Sequence, residues 1–191
     1  GSAAAASHWV CDFGKGINVG DSRRMKIMAP SDHSSIFTAY GNDNAYDQTM
    51  VEQLKNFLQP GDVVVSLSVS GRSGNLVEAQ KYAREAGAKT VCIVGDYNGS
   101  LIGLSDLAIV LKSKNYGVVE DIHLILEHAI SQNMKRAIAG ARGGRPCWWG
   151  PLTVGGPRPS WRLPTRPAGS WKRSRSPPTP AAAAATSRRA A

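Results

Sequence analysis

G-D-V-V-V-S-L-S-V-S-G-R-S-G-N, residues 61–75, divides into an apolar half and a polar half, and that division decides the fold. Residues 62–67 are a short β-branched run after the turn pair Pro60-Gly61, the pattern of a strand buried on both faces of a parallel sheet. The run passes directly into Ser68, Ser70, Gly71, Ser73, Gly74 and Asn75, and residues 76–86 then take helical spacing up to Gly87. A helix therefore starts at Ser73 or Gly74. A hydroxyl-rich turn between a strand and a helix start can hold a phosphate. Unpaired first-turn N–H groups, the positive end of the helix dipole and serine hydroxyls all favour an anion there. Gly71 allows a positive φ and a close backbone approach. Simple N-capping would account for Ser73, but not for three serines at i, i+2 and i+5 around a glycine.

The rest of the chain supplies the sheet. Residues 90–95, T-V-C-I-V-G, and residues 107–111 are further apolar strands, and strand, helix, strand at this spacing predicts right-handed crossovers and helices on both faces. Residues 24–29, closed by Pro30, read as another strand. Met50, Leu54, Phe57 and Leu58 mark the buried side of a helix. The last helix, about 118–138, carries Ile122, Ile125, Leu126, Ala129 and Ile130 as its apolar face, with Glu120 and Glu127 on a solvated edge. Ligands on such sheets sit at the carboxyl ends of the strands, where the serine loop lies.

Charge is divided unevenly. The chain has 23 Lys+Arg and 14 Asp+Glu, yet residues 141–191 hold ten of the basic groups and no acidic one. Residues 1–140 therefore balance at 13 against 14, and the basic pI is no evidence for nucleic-acid binding by the domain. Nine of the eleven prolines and four of the five tryptophans also fall beyond residue 140, without helical or strand period. The expected organisation is a domain at 1–140 and a Pro/Arg/Ala-rich tail at 141–191, disordered or frame-altered in composition. Nucleic-acid binding by the tail's Arg and Trp is the lesser reading. Cys11, Cys92 and Cys147 are odd in number and lack C-x-x-C spacing, which points to a reduced, cytoplasmic setting. No run of eighteen apolar residues marks a membrane span.

Residues 2–16 read as a helix stopped at Gly14 and Gly16, with His8 and Asp12 one turn apart on a shared face. Such a pair can bind one metal ion or be a surface or satisfied core pair. Gly41-Asn42-Asp43 reads either as a sugar-facing pair or as an Asx-rich turn. Glu120 and His128, eight apart on the last helix, point to nearly the same side.

S-V-S-G-R-S-G-N resembles the phosphosugar-binding loop of sugar isomerase (SIS) domains, whose usual form is S-x-S-G-x-S, and the likeness to the phosphoheptose isomerase branch extends over about residues 1–138. The resemblance implies a three-layer αβα sandwich with a mainly parallel, doubly wound sheet, here without the family's N-terminal helix and first strand. It implies aldose–ketose isomerisation of sedoheptulose 7-phosphate through an enediol. Ser68, Ser70, Ser73 and Ser2 would hold the phosphate, and Asn42 and Asp43 would line the sugar site. A zinc ion would be held by His8, Asp12, Glu120 and His128, with Asp12 and His128 as acid and base and a homotetramer sharing its sites. Three positions depart from the family pattern: Val69 replaces a frequent threonine, Asp12 a glutamate and Glu120 a glutamine. A full-time ligand cannot also be a free base, so the duties of Asp12 and His128 overlap. The rival class is a non-catalytic SIS module, a phosphosugar sensor or an adaptor resembling the protein that associates with the initiator DnaA. Such a module needs neither His8 nor His128.

Overall fold

A computed structural model describes residues 1–141. Of the tail read at 141–191, residue 141 closes the last helix and residues 142–191 lie outside the described residues. In chain order the elements are α1 (Ser2–Cys11), a π-helical turn (Asp12–Gly16), α2 (Ser34–Asp43), a 3₁₀ turn (Tyr46–Gln48) and α3 (Val51–Phe57). They continue with β1 (Val63–Ser68), α4 (Gly74–Glu85), β2 (Lys89–Gly95), α5 (Leu101–Leu104), β3 (Leu107–Leu111) and α6 (Tyr116–Ala141).

The three strands form one parallel sheet in the order β1-β2-β3. Alternation along each strand splits its side chains between two helical layers. Leu67 and Ile93 join Ala5, Trp9 and Phe13 in a core with Ile109, Leu111, Leu124, Leu126, Ile130 and Met134, on the side of α1 and α6. Cys92 and Val94 join Leu101, with Leu76, Val77, Ile102, Ala108 and Val110, on the side of α4 and α5. The register makes these rows continuous: Leu67 lies beside Ile93 and Ile93 beside Ile109, while Ser66, Cys92 and Ala108 form the row on the other face. The result is the expected helix–sheet–helix architecture.

Four expectations change. Residues 24–29, read as a strand, take no regular secondary structure and pair with no ladder. Extended backbone becomes a strand only beside a neighbour that takes its N–H and C=O groups. Among the described residues β1 pairs with β2 alone, and Met25 and Ile27 instead pack side chains against the first core. β1 is buried on both faces only from Ser66 to Ser68, and Val63 at its amino end is 61% exposed. On α3, Val51, Gln53 and Leu54 are buried but Phe57 is 60% exposed, since the helix ends at Phe57 and the chain turns away in extended form at Leu58. The face of α6 directed inward is Val119, His123, Glu127 and Ser131, an i, i+4 series, not the apolar stripe alone.

Two contacts fix α6. The Trp9 indole N–H donates to the His123 carbonyl at 3.3 Å, tying α1 to α6, and Trp9 stacks on Phe13 with ring centroids 5.3 Å apart. His123 is fully buried, with Nε2 3.1 Å from the Ile93 carbonyl, which ties α6 to β2. A carbonyl only accepts, so Nε2 carries the proton. Burial pushes the imidazole pKa below its ordinary value, against the opposing pull of the Ile93 bond. Unfolding then exposes a group that binds protons more readily, and stability falls as pH drops below about 6.5. A His123→Gln variant keeps a donor but does not titrate. Urea unfolding should show it about 1 kcal/mol less stable than wild type at pH 7.5, with the gap narrowing by pH 5.5. A gap that stays constant or widens would contradict a buried neutral imidazole.

Candidate active site

The serine loop leaves the carboxyl end of β1, and its shape is set by its own amides. The Gly71 amide donates to Ser68 Oγ at 3.0 Å and the Arg72 amide to Ser70 Oγ at 3.3 Å. Both hydroxyls are used as acceptors, which leaves each O–H free to donate. Gly71 takes φ +65, as the turn requires, and its carbonyl accepts from the Leu101 amide at 3.1 Å, anchoring the loop to α5. Gly99 packs directly on the Ser70–Gly71 backbone, where a Cβ would collide. Ser73 occupies the N-cap of α4 in extended conformation, yet its side chain makes no capping bond and is exposed. Capping therefore does not explain this serine. The Asp47 carboxylate lies against Gly74 at the same helix start, the favoured place for a negative group.

The second part of the site is a seam between α1 and α6. The Nε2 atoms of His8 and His128 are 3.0 Å apart, with the rings edge to face. Glu127 Oε2 stands 3.6 Å from His8 Nε2 and 3.4 Å from His128 Nε2. Asp12 completes the group, and one ligand-type atom from each of His8, Asp12, Glu127 and His128 lies within 4.8 Å of the others. Asp12 opens the π-helical turn, a helical irregularity frequent at functional sites, and its carboxyl packs over Gly16, 3.4 Å from where a Cβ would stand. The imidazoles are partly open, with side chains 44% and 54% exposed, while the Glu127 side chain is fully buried. Neither Glu127 oxygen has a hydrogen-bond partner. Burial, and next the negative Asp12, raise the Glu127 pKa above its ordinary value; the two imidazoles oppose that shift. Two imidazoles and two carboxylates converging in this way suit a divalent transition ion.

The structure thus brings together His8, Asp12 and His128 of the proposed ligands and puts Glu127, not Glu120, with them. Glu120 lies at the amino end of α1, its carboxylate against Gly1. Ser2 sits in the first turn of α1. Asn42 and Asp43 are exposed at the carboxyl end of α2, bonded to each other at 2.8 Å. The sequence reads Glu127 as part of a solvated edge, whereas the structure buries it completely. The usable signal was its spacing, four residues from both His123 and Ser131.

Residues 1–95 match the SIS domain family. The phosphoheptose isomerase of Pelobacter propionicus is 33% identical over 138 residues, 72% of this chain and 72% of that protein. The Mycobacterium tuberculosis phosphoheptose isomerase is 32% identical over 142 residues, 74% of this chain and 72% of its own. The chain belongs to the SIS-domain phosphoheptose isomerase family. Among solved structures, the phosphoheptose isomerase of Neisseria gonorrhoeae superposes with TM-score 0.64 at 25% identity, covering 70% of this chain and 71% of that one. The Francisella tularensis phosphoheptose isomerase shares the fold at TM-score 0.64 and 20% identity, with 71% of each chain covered. In this SIS domain the family match ends at Gly95, so Glu127 and His128 lie beyond it.

Because the Ser73 hydroxyl caps nothing, Ser73→Ala should leave the melting temperature of the SIS domain unchanged and weaken binding of a sugar phosphate about tenfold, the loss of one hydrogen bond to a charged group. Calorimetric titration and a thermal melt distinguish the roles. Lower stability with unchanged affinity would return Ser73 to capping.

Proposed function

We infer that the chain is an aldose–ketose isomerase converting sedoheptulose 7-phosphate to D-glycero-D-manno-heptose 7-phosphate. The observation that carries this is the one-third identity to phosphoheptose isomerases over most of the described residues. The converging His8, Asp12 and His128 support it, since a sensor or adaptor has no need of them.

The isomerisation moves one proton from C1 to C2 and one from O1 to O2 through a cis-enediol, with no net change in atoms or electrons. Ser68 and Ser70 donate their free O–H groups to the phosphate, Ser73 adds a third donor at the start of α4, and Ser2 contributes from α1. Asn42 and Asp43 hydrogen-bond sugar hydroxyls. Asp12 and His128 serve as the acid/base pair, one taking the C1 proton and the other exchanging protons at the oxygens. His8, Asp12 and His128 would hold a zinc ion, which would supply Lewis acidity toward the substrate oxygens. The cytoplasm suits both the phosphorylated substrate and the unpaired cysteines Cys11 and Cys92.

Turnover of sedoheptulose 7-phosphate followed by NMR tests the assignment. His128→Ala should lower kcat at least about a hundredfold, the usual worth of a positioned acid or base. A folded protein that binds sugar phosphates but does not isomerise them would reassign the chain to the sensor or adaptor class.

The enzyme is a homotetramer in this reading. The outward side of α6 carries Val118, 44% exposed, and Ile125, 61% exposed, with exposed Ala129 beside them. Apolar side chains aligned on an outward helix face are what a subunit contact covers. Light scattering should give a mass near four chains for wild type and a smaller species for Ile125→Glu. A monomer in both cases would contradict assembly through this face.

A further inference from the structure

We propose that Glu127 is a direct ligand of the divalent ion, completing with His8, Asp12 and His128 a two-imidazole, two-carboxylate site across the α1–α6 seam. The inference deepens the isomerase reading and rests on it only for the presence of the ion.

Glu127 is the one acidic side chain of the described residues that is fully buried, and neither of its oxygens makes a hydrogen bond; the nearby Ser131 hydroxyl donates to the His128 carbonyl instead. A carboxylate in that position is costly unless a cation or a proton meets it. No Lys or Arg forms an ion pair with it among the described residues; the partners near it are the Nε2 atoms of His8 and His128. Those nitrogens are 3.0 Å apart and stand 3.6 and 3.4 Å from Oε2. The edge of a tetrahedron with bonds of about 2.0–2.1 Å is roughly 3.3 Å, so these three atoms already have the spacing of neighbouring ligands around one small ion. Asp12 approaches the same point from the π-helical turn. The donor set, two nitrogens and two oxygens, suits zinc, cobalt or a similar transition ion and disfavours calcium and magnesium, which take oxygen ligands.

Charge supports the same assignment. Two carboxylates neutralise a divalent ion, so the site around buried Glu127 carries no net charge once filled. Glu120 cannot replace Glu127 without leaving the amino end of α1, where its carboxylate rests against Gly1.

The test uses the full chain, stripped with a chelator and titrated with Co²⁺ and with Zn²⁺. Readouts are visible absorption of bound Co²⁺, affinity by competition with a chromophoric chelator, and melting temperature with and without Zn²⁺. Wild type should bind one ion per chain with the intense spectrum of four-coordinate Co²⁺. Glu127→Leu should weaken affinity by more than about tenfold, the minimum expected even for a partner of a ligand, and change the spectrum. Without metal the same variant should melt higher than wild type, since an uncompensated buried carboxylate is gone, and it should gain less on adding zinc. Glu127→Gln, which keeps the shape, guards against misfolding and should also bind weakly; Glu120→Gln should bind as wild type does. Unchanged affinity and spectrum in both Glu127 variants, or a loss confined to Glu120→Gln, would overturn the proposal. Metal bound through Glu127 in a chain that fails to isomerise sedoheptulose 7-phosphate would uphold the ligand set and sink the isomerase reading. Turnover without any bound metal would do the reverse.

Discussion

A buried carboxylate facing two imidazoles across a helix seam is the constraint on which the rest of this domain depends. Glu127 can be held there only if α1 and α6 are held in register, because its partners come from both helices. The register is set by apolar contacts and two directed bonds. Trp9 spans the seam to the His123 carbonyl, and His123 anchors α6 to the middle strand. The inward face of α6 thus runs from Val119 through a structural histidine to Glu127 and ends at Ser131, whose hydroxyl donates to the His128 carbonyl at 3.3 Å. One helix face serves first as core and then as site.

The serine loop is organised differently. It depends on no buried charge but on backbone geometry at the carboxyl end of β1: a glycine with positive φ, two serine oxygens accepting loop amides, and a contact with Gly99 so close that only glycine fits. The amino end of α4 and hydroxyls with protons left to give make the loop suited to an anion. The site therefore combines a preformed anchor with a cluster of titratable groups whose charges are balanced once a cation is present.

Much of this was legible in the sequence, for identifiable reasons. Strands such as residues 107–111 and 90–95 are short apolar runs bounded by turns, and the structure has strands at Leu107–Leu111 and Lys89–Gly95. The loop serines, His8, Asp12 and His128 stood out through spacing and family likeness. What failed were inferences that depend on a neighbour. Residues 24–29 have strand composition but no ladder partner among the described residues, and Val63 is apolar but uncovered. Glu127 was hidden for the opposite reason: an isolated acidic residue in a helix is ordinarily solvated, and only the packing of α1 shows that this one is enclosed. The apolar stripe of α6 was assigned wholly to the core, although Ile125 points outward. Periodicity tells which residues share a face but not what that face meets.

The most direct measurement of the central claim is X-ray absorption at the zinc edge of the purified, zinc-loaded protein. The seam described here predicts a first shell of two imidazole nitrogens and two carboxylate oxygens at about 2.0–2.2 Å, without sulfur. A shell containing sulfur, or six oxygens without imidazole scattering, would contradict it.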